Sequence, residues 1–125
     1  MSINSSAIVL FSHGSRDPLW RAPIAAVAAR ISERHPDRHV RCAYLELCEP
    51  TLVQATDDLV QQGAAHVTVV PMFLGTGKHA REDLPVLIEE LRTRYKDVQF
   101  TVQGAIGEDD RMTELMAKIA CESPG

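Results

Sequence analysis

Four times along this chain a short apolar run gives way to a longer stretch whose apolar residues recur at helical spacing. Alternation between a period of about two and a period of about 3.6 commits a chain to strand–helix units wound on a parallel sheet. The first run is residues 7–11, and the stripe after it is Ile24, Val27, Ala28 and Ile31. Pro36 ends that helix, because proline disfavours helical geometry in the residue before it. Residues 40–45 form the second strand. Leu52, Ala55, Thr56, Leu59 and Val60 mark the next helix, with Gly63 placed as its C-terminal cap. Residues 66–70, the third strand, lead into the glycine-rich stretch from Met72 to His79. The third helix carries Leu84, Leu87, Ile88 and Leu91, with Asp83 expected as its N-cap and Pro85 in its first turn. Residues 98–102 are the fourth strand. Met112, Leu115, Met116 and Ile119 mark the last helix, opened by Glu108-Asp109-Asp110 at its positive end. Residues 122–125 read as a frayed end.

Strand texture orders the sheet. The first and third strands are continuous apolar runs, as expected where helices cover both faces. The second and fourth contain polar alternation, which fits edges. With right-handed crossovers the order is 2-1-3-4, a flavodoxin-like three-layer α/β/α arrangement. No linker or low-complexity segment divides the 125 residues, so one domain over 1–125 with a core of about 7–120 is expected.

The chain is 45% hydrophobic and 24% charged, which excludes wholesale disorder, and its net charge of −4 argues against a general nucleic-acid binder. Its apolar runs fall far short of the ~20 residues of a membrane span, and residues 1–6 lack the basic and apolar regions of a secretory leader. Cys42, Cys48 and Cys121 are odd in number and form no CxxC pair, so they read as reduced thiols of a cytoplasmic protein.

In such a sheet, ligands bind at the carboxyl ends of the strands, where the order switches between the first and third. His13, directly after the first strand, and His79, in the loop after the third, both arrive there and are expected to face one crevice. Either alone also fits a loop or helix-cap histidine; their joint arrival favours a shared role. His35, His39 and His66 precede strands and belong at the opposite edge. Pro36 also denies His35 and His39 the shared helical face of a metal pair. Glu46 reaches the same rim as His13; Glu49 fits a helix start equally well, and Glu108 is accounted for by the helix N-terminus it precedes. Arg16, Arg21, Lys78 and Arg81 place cations there, suited to an anionic ligand. Gly75 and Gly77 permit close approach, but the loop is no P-loop, and no serine-centred Gly-x-Ser-x-Gly elbow is present.

Ser12-His13-Gly14-Ser15-Arg16, Leu45-Glu46-Leu47-Cys48-Glu49-Pro50, and the run from Pro71 to His79 with Asp83-Leu84-Pro85 together resemble the small sirohydrochlorin chelatases. These are the short CbiX type of cobalt or iron chelatase in the cobalamin and sirohaem pathways. The resemblance spans about residues 7–119. It implies a chelatase-like fold, metal insertion into a tetrapyrrole, and pairing of two chains into a homodimer that builds a full cleft. It matches His13 and His79 to metal-binding and catalytic positions, and Glu46 to an acidic position of the site. The chemistry suits those residue types. An imidazole ligates divalent cobalt, iron or nickel, and its ordinary pKa of about 6.5 suits it to accept a pyrrole proton. Arg16 and Lys78 are expected to meet substrate carboxylates, with Gly75 and Gly77 beside them. Met72, Phe73 and Leu74 are expected to supply an apolar floor, and Phe11 strand packing. The metal is then a substrate, no cofactor is tightly bound, and neither nucleic acid nor membrane is a partner. Two alternatives stand beside this reading: a non-catalytic metal carrier or cofactor-binding module, and phosphoryl transfer through a phosphohistidine. The second is disfavoured by Ser12, which stands where an Arg-His-Gly pattern needs arginine.

Overall fold

A computed structural model describes residues 6–122. Residues 1–5, read above for a leader, and 123–125, most of the expected frayed end, lie outside the described residues. The strands are β1 (Ser6–Ser12), β2 (His39–Tyr44), β3 (His66–Pro71) and β4 (Gln99–Val102). The helices are α1 (Ala22–Arg34), α2 (Leu52–Gln61), α3 (Lys78–Arg94) and α4 (Asp110–Cys121). Short 3₁₀ turns precede α1 at Pro18–Arg21 and α4 at Ile106–Glu108. The strands make one parallel sheet in the order β2-β1-β3-β4, as the strand texture requires.

Alternation along the strands sorts the two faces. Ala7, Val9, Phe11, Ala43, Val67, Val69 and Phe100 pack under α2 and α3, which contribute Leu52, Ala55 and Leu59, and Ala80, Leu84, Ile88 and Leu91. Phe11 lies in register between Ala43 and Pro71, in the middle of the sheet. The opposite face turns Leu10 and Cys42 toward α1, where the Cys42 thiol lies 3.9 Å from the Ile24 carbonyl. α1 buries none of its residues fully, so this layer is thinner.

Helix ends follow their local chemistry. Thr51 and Gln54 form a reciprocal capping box: Gln54 N–H donates to Thr51 Oγ1 at 3.2 Å and Thr51 N–H to Gln54 Oε1 at 2.8 Å. After α2, Gly63 takes a φ of +101°, and the Gly63 and Ala64 N–H groups return to the carbonyls of Val60 and Leu59.

α3 corrects the reading of Asp83 and Pro85. Its N-cap is Gly77 and its first residue Lys78, so Asp83 lies inside the helix and Pro85 in its interior. Lys-His-Ala-Arg-Glu-Asp offers one apolar residue, Ala80, and therefore no stripe, yet most of these residues form helix readily. Pro85 leaves the Arg81 carbonyl without its helical donor, a loss softened because both residues are exposed. α4 opens on Asp109, whose carboxylate accepts from Arg111 N–H. It buries no residue, and its principal contact is the 3₁₀ turn before it. Among the described residues, no helix is long and apolar enough to cross a membrane.

Candidate active site

The end of β1 is laced to both neighbours. Met72 N–H donates to the Phe11 carbonyl at 2.7 Å, Leu45 N–H to Ser12 at 2.9 Å, and Glu46 N–H to His13 at 2.9 Å. Hydrogen bonding thus continues past the strand and fixes the His13 backbone against the segment that carries Glu46. Gly14 makes that approach possible. Its φ is +103°, and a Cβ there would sit 1.8 Å from the Glu46 carbonyl oxygen.

The His13 ring is exposed above and backed by Phe73, with centroids 4.7 Å apart and planes tilted by 44°. Phe73 is itself buried and stands edge-on to Phe11 at 6.0 Å. Phe73 therefore supports the imidazole from within the core, and Phe11 packs in the strand as expected. His79 lies in the first turn of α3, on the same carboxyl side of the sheet and exposed. No ring contact or hydrogen bond joins it to His13. Among the described residues, no group of three or more His, Cys, Asp or Glu side chains is placed to hold a metal ion.

The remaining candidates divide. The Glu46 side chain is exposed beside His13, joined to it through the backbone alone. Arg16 is exposed on the loop after His13. Lys78 lies 4.0 Å from Glu82 one turn along α3, an exposed pair of little energetic weight. Arg81 donates to the Thr76 carbonyl at 2.8 Å and ties the glycine loop to the helix. Open space surrounds Gly75 and Gly77, and the demand for glycine falls instead on Gly14 and on Gly107, where a Cβ would sit 1.9 Å from the Leu74 carbonyl oxygen. His39 and His66 open strands at the far edge, where His66 Nε2 lies 2.8 Å from Thr101 Oγ1; His35 caps the end of α1. Glu49 accepts from the Gln54 amide at 3.2 Å, a helix-start role.

The thiols of Cys42, Cys48 and Cys121 are free. Burial pushes the Cys42 thiol up and keeps it protonated at neutral pH. The same cause, followed by the nearby Cys42 and Cys48, raises the Tyr44 phenol. Sequence reasoning missed the surroundings of Tyr44. Trp20 lies 6.3 Å from it, ring centre to ring centre, and Leu19 and Leu47 stand exposed on the same rim as Leu74, which was expected there. Their one signal in the sequence is large apolar side chains inside polar turns. A separate groove of about 700 Å³ runs between α3 and β4, lined in part by Leu84, Pro85, Ile88, Phe100, Val102 and Ala105.

Comparison with known proteins gives this geometry a family. The chain is 31% identical over 117 residues to the sirohydrochlorin cobaltochelatase of Saccharolobus solfataricus, an alignment covering 89% of this chain and 90% of that protein. It is 28% identical to the sirohydrochlorin ferrochelatase of Priestia megaterium, covering 90% of this chain and 42% of the relative. Among solved structures it resembles a CbiX protein from Marinobacter aquaeolei, with a TM-score of 0.81, 32% identity, and coverage of 94% of this chain and 95% of that one. It also resembles the sirohydrochlorin chelatase SirB from Bacillus subtilis subspecies spizizenii in complex with cobalt, with a TM-score of 0.80 and 28% identity. That match covers 95% of this chain and 51% of SirB. The CbiX family matches residues 7–123, and the chain belongs to it.

Proposed function

We propose that this protein is a sirohydrochlorin chelatase, inserting divalent cobalt or iron into the tetrapyrrole, with nickel as a further metal to test. The observation that carries the reading is His13: an exposed imidazole on rigid backbone at the carboxyl rim of a CbiX-family sheet. Insertion exchanges two pyrrole protons for one divalent cation. The macrocycle supplies four nitrogens, so the protein needs only weak donors that release the metal as those nitrogens take it. His13 and His79 fill that role, and an imidazole not holding metal accepts a pyrrole proton. Glu46, beside His13, adds a carboxylate for the second proton. Arg16 and Lys78 pair with peripheral carboxylates, and the open backbone at Gly75 and Gly77 lets a flat ligand approach.

Two copies are read as the working unit, with residues 1–125 as one domain of each. This chain spans about half of SirB. In addition, α4 leaves Leu115 and Ile119 exposed, and the groove between α3 and β4 offers an apolar seat. The free thiols support a cytoplasmic setting.

The test mixes protein, sirohydrochlorin and Co²⁺, Fe²⁺ or Ni²⁺ without oxygen and follows absorbance against the spontaneous rate. Acceleration is expected, falling to near background in His13→Ala and markedly in His79→Ala. No acceleration with any metal overturns the chelatase reading. Retained acceleration in both variants overturns the assignment of the histidines. Metal binding without turnover marks a carrier instead.

A further inference from the structure

Leu19 at 80% and Leu74 at 72% are the most exposed large apolar side chains among the described residues. Leu47 at 51% and Trp20 at 40% are exposed on the same side of the sheet. Scattered exposed leucines are ordinary, but these four occupy the loops after β1, β2 and β3, around His13. Two features mark the backbone that carries Leu47, Leu19 and Trp20. Leu47 adopts a φ of 71°, a left-handed conformation that costs a non-glycine residue of order 1 kcal/mol. The segment from Ser15 to Trp20 is pinned by successive hydrogen bonds: Asp17 N–H to Ser15 Oγ at 3.0 Å, Leu19 N–H to Asp17 Oδ1 at 2.9 Å, and Trp20 N–H to the Asp17 carbonyl at 3.1 Å. Trp20 is seated on Tyr44, a buried side chain whose Cβ would lie 3.3 Å from a Cβ at Gly14. The indole therefore stands on the same rim as His13, tilted by 57° against the Tyr44 ring and partly exposed.

We infer that Trp20 is a substrate-contact residue: its ring holds the conjugated face of the tetrapyrrole, and Leu19, Leu47 and Leu74 complete an apolar collar over His13. The inference rests on the chelatase reading. A flat conjugated ring with carboxylates at its periphery fits this rim on both counts. Its face meets the indole and leucines, and its carboxylates meet Arg16 and Arg21. Trp20 positions the macrocycle and takes no part in proton or metal transfer, so its loss weakens binding more than turnover.

Metal-free sirohydrochlorin is titrated into the protein and its own visible absorbance followed, so that affinity is read without turnover. Trp20→Ala is expected to raise Kd and KM about tenfold with kcat within about twofold, and Trp20→Phe, which keeps an aromatic face, to stay within about threefold of the parent. Leu74→Ala, at a side chain with little packing to lose, is expected to raise Kd several-fold and serves as the second probe if Trp20→Ala unfolds. Val86→Ala, an equally exposed apolar site on α3 away from the rim, is expected to change nothing. Unchanged affinity in Trp20→Ala, or equal losses in Trp20→Ala and Trp20→Phe, overturns the stacking contact and leaves the chelatase reading intact. A parent protein that neither binds sirohydrochlorin nor accelerates insertion overturns that reading, and the contact with it.

Discussion

His13 is presented by a backbone that only glycine at position 14 allows. The φ of +103° excludes ordinary side chains at a cost of roughly 1–2 kcal/mol, and the Glu46 carbonyl occupies the place of a Cβ. Gly14→Ala must therefore push the β1 and β2 rims apart as well as strain the turn. We expect a loss of about 3 kcal/mol or more, read as a fall in Tm of about 10 °C, together with loss of metal insertion. Full activity in a folded Gly14→Ala protein would show that the pairing of His13 with the Glu46 segment is dispensable. The sequence placed His13 well, because an apolar strand followed by Ser-His-Gly reads locally. It could not reveal why Gly14 is glycine, since the obstructing carbonyl belongs to a residue far along the chain. The same holds for Trp20, whose partner Tyr44 comes from another strand. Contacts between loops leave no periodic trace.

Elements were legible where an apolar stripe or a cap marked them. β1 and β3 read as interior strands from continuous apolar runs, and α2 from its stripe and its glycine. α3 was read short because its first turns carry charge toward solvent, so the position of His79 as a first-turn residue emerged only from the fold. Two caps give predictions. Thr51→Ala removes the hydroxyl of the capping box on α2 and is expected to cost about 1 kcal/mol, or about 4 °C in Tm, with little change in activity. Asp109 caps α4, and the side-chain hydrogen bond from Arg111, followed by that residue's N–H, lowers its carboxyl to about 2. A carboxylate depressed in the folded state stabilises above the ordinary value near 4, and that contribution disappears as pH falls through about 2. An NMR titration of the Asp109 carboxyl should therefore give a midpoint near 2. Asp109→Asn should remove the pH dependence of α4 amide protection in that window, and a midpoint near 4 in the parent would mean that the Arg111 contact does not form in solution.

On the scale of the whole molecule, α4 is the element that the fold leaves unfinished. A helix that buries no residue fully and packs mainly on a 3₁₀ turn gains little from burial, yet Met112, Leu115, Met116 and Ile119 align on one side of it. The groove between α3 and β4 is unfilled by its own chain and carries Leu84, Ile88 and Phe100. A stable pair of copies needs on the order of 800 Å² buried on each partner, which a 12-residue helix and its seat can go far toward supplying. Pairing through two identical surfaces also closes on itself, as a twofold dimer does. A single copy would then present half of a cleft, matching the half-length coverage of SirB. Replacing both Leu115 and Ile119 by Asp tests this without disturbing the core, because neither side chain is buried. Light scattering should report a dimer for the parent and a monomer for the double variant, with circular dichroism unchanged. Insertion activity should fall with the dimer and return partly at high protein concentration, where mass action restores pairing. A double variant that stays dimeric would move the interface elsewhere, and one that is monomeric and fully active would make the single copy a sufficient enzyme.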